Sequence, residues 1–163
     1  MIDIVEHQQQ VEAAVAFLRQ HIVEPPQVLI QLGTGLGELA KAMQGATTLA
    51  YEEIPHFPRS TVSSHAGNLV IGRLAGKRTA ILQGRFHFYE GYTAREVAFP
   101  IRVLALLGVQ TAIITNASGG LNPAFHPGTL MVFDDHINLL CDNPLRGPNI
   151  DAWGPRFPDL STP

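Results

Sequence analysis

The stretch "VLIQLGTGLGEL", residues 28–39, decides the fold. Its apolar start, Val28 to Leu32, has the look of a short buried strand. Three glycines follow, Gly33, Gly35 and Gly37, and a segment from about Leu36 to Met43 reads as a short helix. A strand that turns through glycines into a helix is a building unit of an α/β sheet. The turn also raises a functional question. The dinucleotide fingerprint needs G-x-G-x-x-G, and the ATP-binding loop needs G-x-x-x-x-G-K-[ST]. Here Glu38 follows the glycines and no Lys stands at the required place, so neither fits. A glycine turn with one hydroxyl, Thr34, at a helix start can aim backbone N–H groups at an anion. It can equally be a tight connection with no ligand. The loop alone leaves both open.

The flanking sequence extends the α/β reading. Val11, Ala14, Val15, Leu18 and Ile22 recur at spacings of three and four, which predicts an amphipathic helix over residues 5–23. Pro25-Pro26 stops it. Residues 68–83, "NLVIGRLAGKRTAILQ", predict two strands around a turn at Ala75-Gly76-Lys77. Thr93 to Glu96 has the form of a capping box, so a helix begins there. It runs to about Leu107, with Val97, Ile101 and Leu104 inward, and Gly108 ends it. Pro100 lies inside it and predicts a kink or an irregular first half. Val109 to Thr115 reads as another buried strand, and residues 128–140, "GTLMVFDDHINLL", as at least one more. From about Asn143 the chain is rich in Pro and Gly and loses periodicity. The expectation is one α/β domain over residues 1–163, a mixed β-sheet flanked by helices. It stops at "FPDLSTP" without a closing element, as a domain cut short at its C-terminus would.

Composition narrows the function. At 45% hydrophobic and 15% charged, the 163 residues read as globular. A net charge near -3 offers no basic field for nucleic acid. An anionic ligand therefore needs a local site. Cys141 is the only cysteine, so no internal disulfide forms, which fits a cytoplasmic location. The N-terminus "MIDIVEHQQQ" has no signal-peptide pattern, and no apolar run is long enough to cross a membrane.

Three further segments carry candidate chemistry. In "QGRFHFYEGY", residues 83–92, Arg85 and His87 share a face if the segment is extended. Arg offers a planar fork of donors for phosphate, and His adds another. Tyr89 continues that face and suits a sugar surface. In "STVSSHAGNL", residues 60–69, His65 sits among small residues just before a strand; a lone His is more often structural than catalytic, and its weight depends on meeting the first two segments in space. In "ITNASGGLNP", residues 114–123, a strand runs straight into Asn116 and a Gly-Gly pair. Ligands in open α/β sheets sit off the C-terminal ends of strands, and this loop and the Gly33 loop both occupy such ends. Asp134, Asp135 and His136 are adjacent on an expected strand, point in different directions and match no metal-ligand spacing, so they read as structural. No G-x-S-x-G elbow or H-E-x-x-H helix is present, and Cys141 has no obvious partner base.

Taken in order, "LGTGLGEL", "FPRSTVSSHAGNLVIG", "QGRFHFYEGYT", "TNASGGLNP", "GTLMVFDDHINL" and "NPLRGPN" resemble the trimeric, inosine–guanosine type of purine nucleoside phosphorylase. The segments cover residues 28–149, and "GPRFPDLS" extends the match. The "GRFHFYEGY" run separates the sequence from methylthioadenosine phosphorylases, which share the fold and the glycine loop. The resemblance implies the nucleoside phosphorylase fold, here truncated. It also implies a reaction in which orthophosphate attacks the anomeric carbon of a purine ribonucleoside or deoxyribonucleoside. The products are a free base and a pentose 1-phosphate. By the same resemblance Thr34, His65, Arg85, His87 and the backbone of Ala117 bind phosphate, with His87 and His65 catalytic. Tyr89 and, from a neighbouring subunit, Phe157 line the ribose. The resemblance implies a homotrimer, no cofactor beyond orthophosphate as co-substrate, and no metal. The family holds the base with a Glu and an Asn, and completes the phosphate site with a Ser, from its C-terminal half; none can be assigned here. The expectation is therefore that the 163-residue chain alone turns over poorly or not at all. Three other readings stand beside the purine nucleoside phosphorylase: a methylthioadenosine phosphorylase-like relative; a nucleoside hydrolase, which would need carboxylates to activate water; and a non-catalytic fragment that binds phosphate or ribose.

Overall fold

A computed structural model describes residues 3–59, 67–159 and 161. Helix α1 spans Ile4–His21, with Asp3 accepting the backbone N–H groups of Val5 and Glu6 at 2.9 and 3.1 Å. Five strands form one sheet: β1 (Val28–Gln31), β2 (Gln44–Ala50), β3 (Asn68–Leu74), β4 (Lys77–Gln83) and β5 (Thr111–Ile114). Their spatial order is β2-β3-β4-β1-β5. The β2/β3 and β3/β4 pairs are antiparallel, and β1 is parallel to both β4 and β5. The mixed sheet expected from sequence is present, with the hairpin turning at Ala75 and Gly76.

The pleat sorts the core. Leu29, Leu69, Ile71, Ala80 and Leu82 join Val11, Ala14 and Leu18 of α1 in one buried cluster. Helix α2 (Ala94–Leu107) adds Phe99, Val103, Leu104 and Leu107 to it. Ile30, Val70 and Ile81, one residue along each strand, face the other way with Leu32 and Met43, as a period of two requires. Both helices therefore cover one face. The opposite face carries the smaller cluster and the short segment after the glycine loop.

The capping box at α2 forms as expected: Glu96 N–H donates to Thr93 Oγ1 at 3.3 Å, and Thr93 N–H donates to Glu96 Oε2 at 2.8 Å. The helix runs without a break through Pro100, which is buried in the core. The irregular first half expected there is absent: the chain is α-helical from Ala94 to Leu107. The segment expected as a helix over 36–43 is a 3-10 turn at Gly37–Ala42. Leu36 at its start offers no capping acceptor, and a turn so short gains little from α-helical cooperativity.

Two strand expectations are corrected. Strand β5 is not buried: it forms the sheet edge, with Ile113 and Ile114 48% and 56% exposed. Nothing among the described residues packs beyond it. Residues 128–140 form no strand, and Leu130, Val132, Ile137 and Leu139 are exposed. A strand exists only through pairing, and none of the described residues pairs with this apolar segment. Asp134, Asp135 and His136 therefore lie on irregular, exposed chain. Strand β2 is the converse, present without a sequence signal. Gly45, at φ 58°, and a register shift between Gln44 and Thr47 break its alternation, and Leu49 is its one buried side chain.

His7 is the unusual polar member of the core, with 7% of its surface exposed. Burial, with Arg95 and Arg102 beside it, pushes its pKa down from 6.5 to about 4. Asp3, Glu6, His56, Arg95 and Glu96 line a hollow with it, and Arg102 lines another. Between pH 6.5 and about 4 the unfolded chain takes up a proton that the folded chain refuses. Stability is thus full above the unfolded value and falls as the pH drops through this window, by on the order of 3 kcal/mol from this group. Urea midpoints measured in chloride at about pH 7.5 and about pH 5 should differ by the part already lost at pH 5, on the order of 2 kcal/mol. A His7→Phe chain should lose this group's part of the difference; an unchanged difference would assign it elsewhere.

Candidate active site

The topology gathers three loops. Strands β4, β1 and β5 are parallel and in register, with Gln31 beside Leu82 on one side and Ile114 on the other. The chain leaves all three at the same sheet edge. These exits begin the glycine loop, the 84–92 segment and the 115–123 segment, three of the four segments singled out from sequence. The fourth, "STVSSHAGNL", enters β3 at this edge, where Gly67 N–H donates to the Gln83 carbonyl at 3.0 Å. Its His65 falls on residues 60–66, outside the described residues.

The loops are bonded to one another. Gly33 N–H donates to Thr115 Oγ1 at 2.8 Å, and that hydroxyl donates onward to the Gln31 carbonyl at 2.9 Å. The Thr115 carbonyl accepts from the Arg85 guanidinium. Gln83 Nε2 reaches the Gly37 carbonyl at 3.2 Å. The buried Tyr51 hydroxyl donates to the Gly84 carbonyl at 2.8 Å, bracing the segment that leads into Arg85. Burial pushes the Tyr51 phenol above its ordinary pKa, so it remains a donor. A Cβ on Gly33 would lie 3.0 Å from the Thr115 oxygen, so a side chain there would force the backbone at the end of β5 to give way by a few tenths of an ångström.

Each predicted residue has a place. Thr34 is exposed next to Gly33, and Ala117 is exposed two residues beyond Thr115. Arg85 is half-buried, and its guanidinium has donors beyond the one given to Thr115. His87 stacks on Tyr89, with ring centroids 4.6 Å apart and planes at 16°. The His87 N–H donates to Glu90 at 2.8 Å. Phe157 is 83% exposed, and the Arg156 guanidinium lies 5.5 Å from its ring. Hydrogen bonds thus join Gly33, Arg85 and the strand end before Ala117, which carry Thr34 and His87 next to them. The bracing residues Thr115, Tyr51 and Gln83 were not among the sequence candidates. A hydroxyl residue at the end of β5, opposite a glycine at the end of β1, is the signal that marks Thr115.

Such a cluster can hold an anion with a guanidinium, a hydroxyl and backbone N–H groups, on loops fixed by a sheet. The family model described as "Phosphorylase superfamily" matches residues 27–163, beginning at β1 and taking in all these loops. The chain belongs to the Phosphorylase superfamily. Within it, the chain is 51% identical over 152 residues to purine nucleoside phosphorylase 1 of Bacillus subtilis, covering 93% of this chain and 56% of that one. It is 51% identical over 153 residues to purine nucleoside phosphorylase of Mus musculus, covering 92% and 53%. A solved structure of isoform 2 of purine nucleoside phosphorylase from Schistosoma mansoni, in complex with cytosine and ribose-1-phosphate, superposes with a TM-score of 0.85. Its sequence identity is 42%, and the match covers 94% of this chain and 55% of that one. The resemblance read from the sequence is borne out, and the chain spans about half the length of the relatives it matches. Among the described residues no helix is long and apolar enough to cross a membrane.

The superfamily match makes Thr115 a positioning residue to test. Thr115→Val removes the acceptor of Gly33 N–H and keeps the shape. The expected result is a loss of about 1–3 kcal/mol of stability in urea unfolding, with Thr115→Ser restoring most of it. Equal midpoints for the Val and Ser variants would show that the hydroxyl does not set the loop.

Proposed function

We propose that the protein catalyses phosphorolysis of purine ribonucleosides and deoxyribonucleosides, giving the free base and a pentose 1-phosphate. The Gly33–Thr115–Arg85 junction carries this reading, because it ties a glycine turn to a guanidinium at the edge where three parallel strands end. The relatives named above support it: they are purine nucleoside phosphorylases, and the Schistosoma mansoni protein holds ribose-1-phosphate. They favour an enzyme over a non-catalytic phosphate-binding module.

In this reading Thr34, Arg85, His87, His65 and the Ala117 N–H hold orthophosphate. Tyr89, with Phe157 from a neighbouring copy in a homotrimer, covers the ribose. Cleaving the N-glycosidic bond builds positive charge on the sugar. A phosphate dianion fixed below the ring is both nucleophile and counter-charge, so the chemistry is chiefly positioning and electrostatics. Orthophosphate is the co-substrate, and no cofactor or metal is invoked. We place the protein in the cytoplasm, where Cys141 stays a thiol. Release of hypoxanthine from inosine tests the reaction class. Turnover by the 163 residues alone is expected to be slow, but the rate should rise with orthophosphate, saturate, and vanish without it. Equal release in phosphate-free buffer would make the protein a hydrolase.

A further inference from the structure

A second polar site lies between the helices, sharing no residue with the Gly33–Thr115–Arg85 junction. Helix α1, helix α2 and the 144–158 segment enclose a cavity of about 100 Å3. Its charged lining residues are Arg95, Arg102 and Arg156, with the neutral His7 and no carboxylate. His7 Nε2, Arg95 Nη1 and Arg102 Nε are buried with no hydrogen-bond partner. Buried donors are nearly always satisfied, and buried charges are paired.

The nearby acids are engaged elsewhere. Asp3 caps α1, Glu6 accepts from Gln10, and Glu96 closes the capping box of α2. None of the salt bridges among the described residues involves Arg95, Arg102 or Arg156. The donors are also held in place. Arg95 Nη2 donates to the Arg146 carbonyl at 2.9 Å, and Arg102 Nη2 to the Pro144 carbonyl at 3.3 Å. The Arg102 guanidinium lies 5.3 Å from the Trp153 ring centroid. The His7 ring is fixed edge-on by Phe99 at 5.9 Å and Trp153 at 5.7 Å. Two guanidinium groups and an imidazole, fixed and in no salt bridge among the described residues, have the chemistry of an oxyanion receptor.

We propose that this cavity binds a small tetrahedral oxyanion of the phosphate class through Arg95, Arg102 and His7 Nε2. The volume has room for several waters, hence for such an anion. The site is separate from the one at the strand ends and does not depend on the proposed reaction.

Trp153 is the only tryptophan in the chain and walls this cavity, so its fluorescence reports on this site. Titrating the 163-residue chain with inorganic phosphate, against sodium chloride at matched ionic strength, should give a saturable change with phosphate alone. The change should persist in Arg85→Met, which disables the strand-end site. Arg95→Gln should weaken it about tenfold or more. No saturable change, an equal change with chloride, loss in Arg85→Met, or no effect of Arg95→Gln would each overturn the proposal. Should Arg95→Gln not fold, judged by far-UV circular dichroism, the His7 ring signals of the wild-type chain decide by NMR. Phosphate should shift them, and unshifted signals would overturn the proposal.

Discussion

Arg85→Met is expected to lower kcat/KM for orthophosphate by on the order of a hundredfold to a thousandfold, the range for removing one preorganised donor from an oxyanion site. Arg85 is the cation that the fold brings to the junction of the three loops, through its bond to the Thr115 carbonyl. A planar fork anchored at one N–H presents its others in a fixed direction. Met fills much of the same volume, so the loss reports on charge and donors rather than on a hole. Arg85→Lys should recover little, because an ammonium restores the charge without the fork. The check is initial-rate kinetics with phosphate varied at saturating nucleoside. Near wild-type kinetics for Arg85→Met would remove Arg85 from the proposed phosphate site.

Gly33→Val is expected to damage both stability and activity. Even a single Cβ at this position lies 3.0 Å from the Thr115 oxygen and 3.1 Å from Asn116 Cα. Those are backbone atoms at the end of β5, which pairs directly with β1. They cannot retreat without loosening that pairing and carrying the Arg85 acceptor with them. Overpacking of this kind costs about 1–3 kcal/mol, or a fall in melting temperature of roughly 2–12 °C for a chain of this size. A displacement of the loop by about 1 Å would cost on the order of a hundredfold in kcat/KM. Gly37→Ala is the control, since a Cβ there meets nothing within 4 Å; it should behave as wild type. Thermal melts and kinetics on the two variants separate crowding from loss of glycine as such. Equal behaviour of the two would refute the close approach.

Local signals carried most of the fold. The stripe of α1, the capping box of α2 and the β3–β4 hairpin each depend on residues near in sequence, and each forms where it was read. The misreadings concern partners that are distant in sequence. An apolar run such as Ala112–Ile114 looks alike at the centre and at the edge of a sheet; only the strand order tells them apart. Residues 128–140 carry the apolar pattern of a strand without a partner among the described residues. Strand β2 has a partner without the pattern, because Gly45 interrupts it and most of its side chains stay in water.

The candidate site divides in the same way. The glycine turn, Arg85 and the 115–120 loop were visible because their residue types are chemically specific and sit at the ends of strands. The bracing of those loops was not, since Thr115 to Gly33 and Tyr51 to Gly84 are contacts across long sequence separations. His7 shows the limit most clearly. In sequence it is one polar residue in the first turns of an amphipathic helix. Its partners in the cationic cavity come from α2 and from the 144–158 segment, and nothing local announces them.

The products formed from inosine and orthophosphate test the central claim most directly. Phosphorus NMR of the reaction should show one pentose 1-phosphate formed, and one orthophosphate consumed, for each hypoxanthine released. Free ribose, with orthophosphate unchanged, would contradict the account.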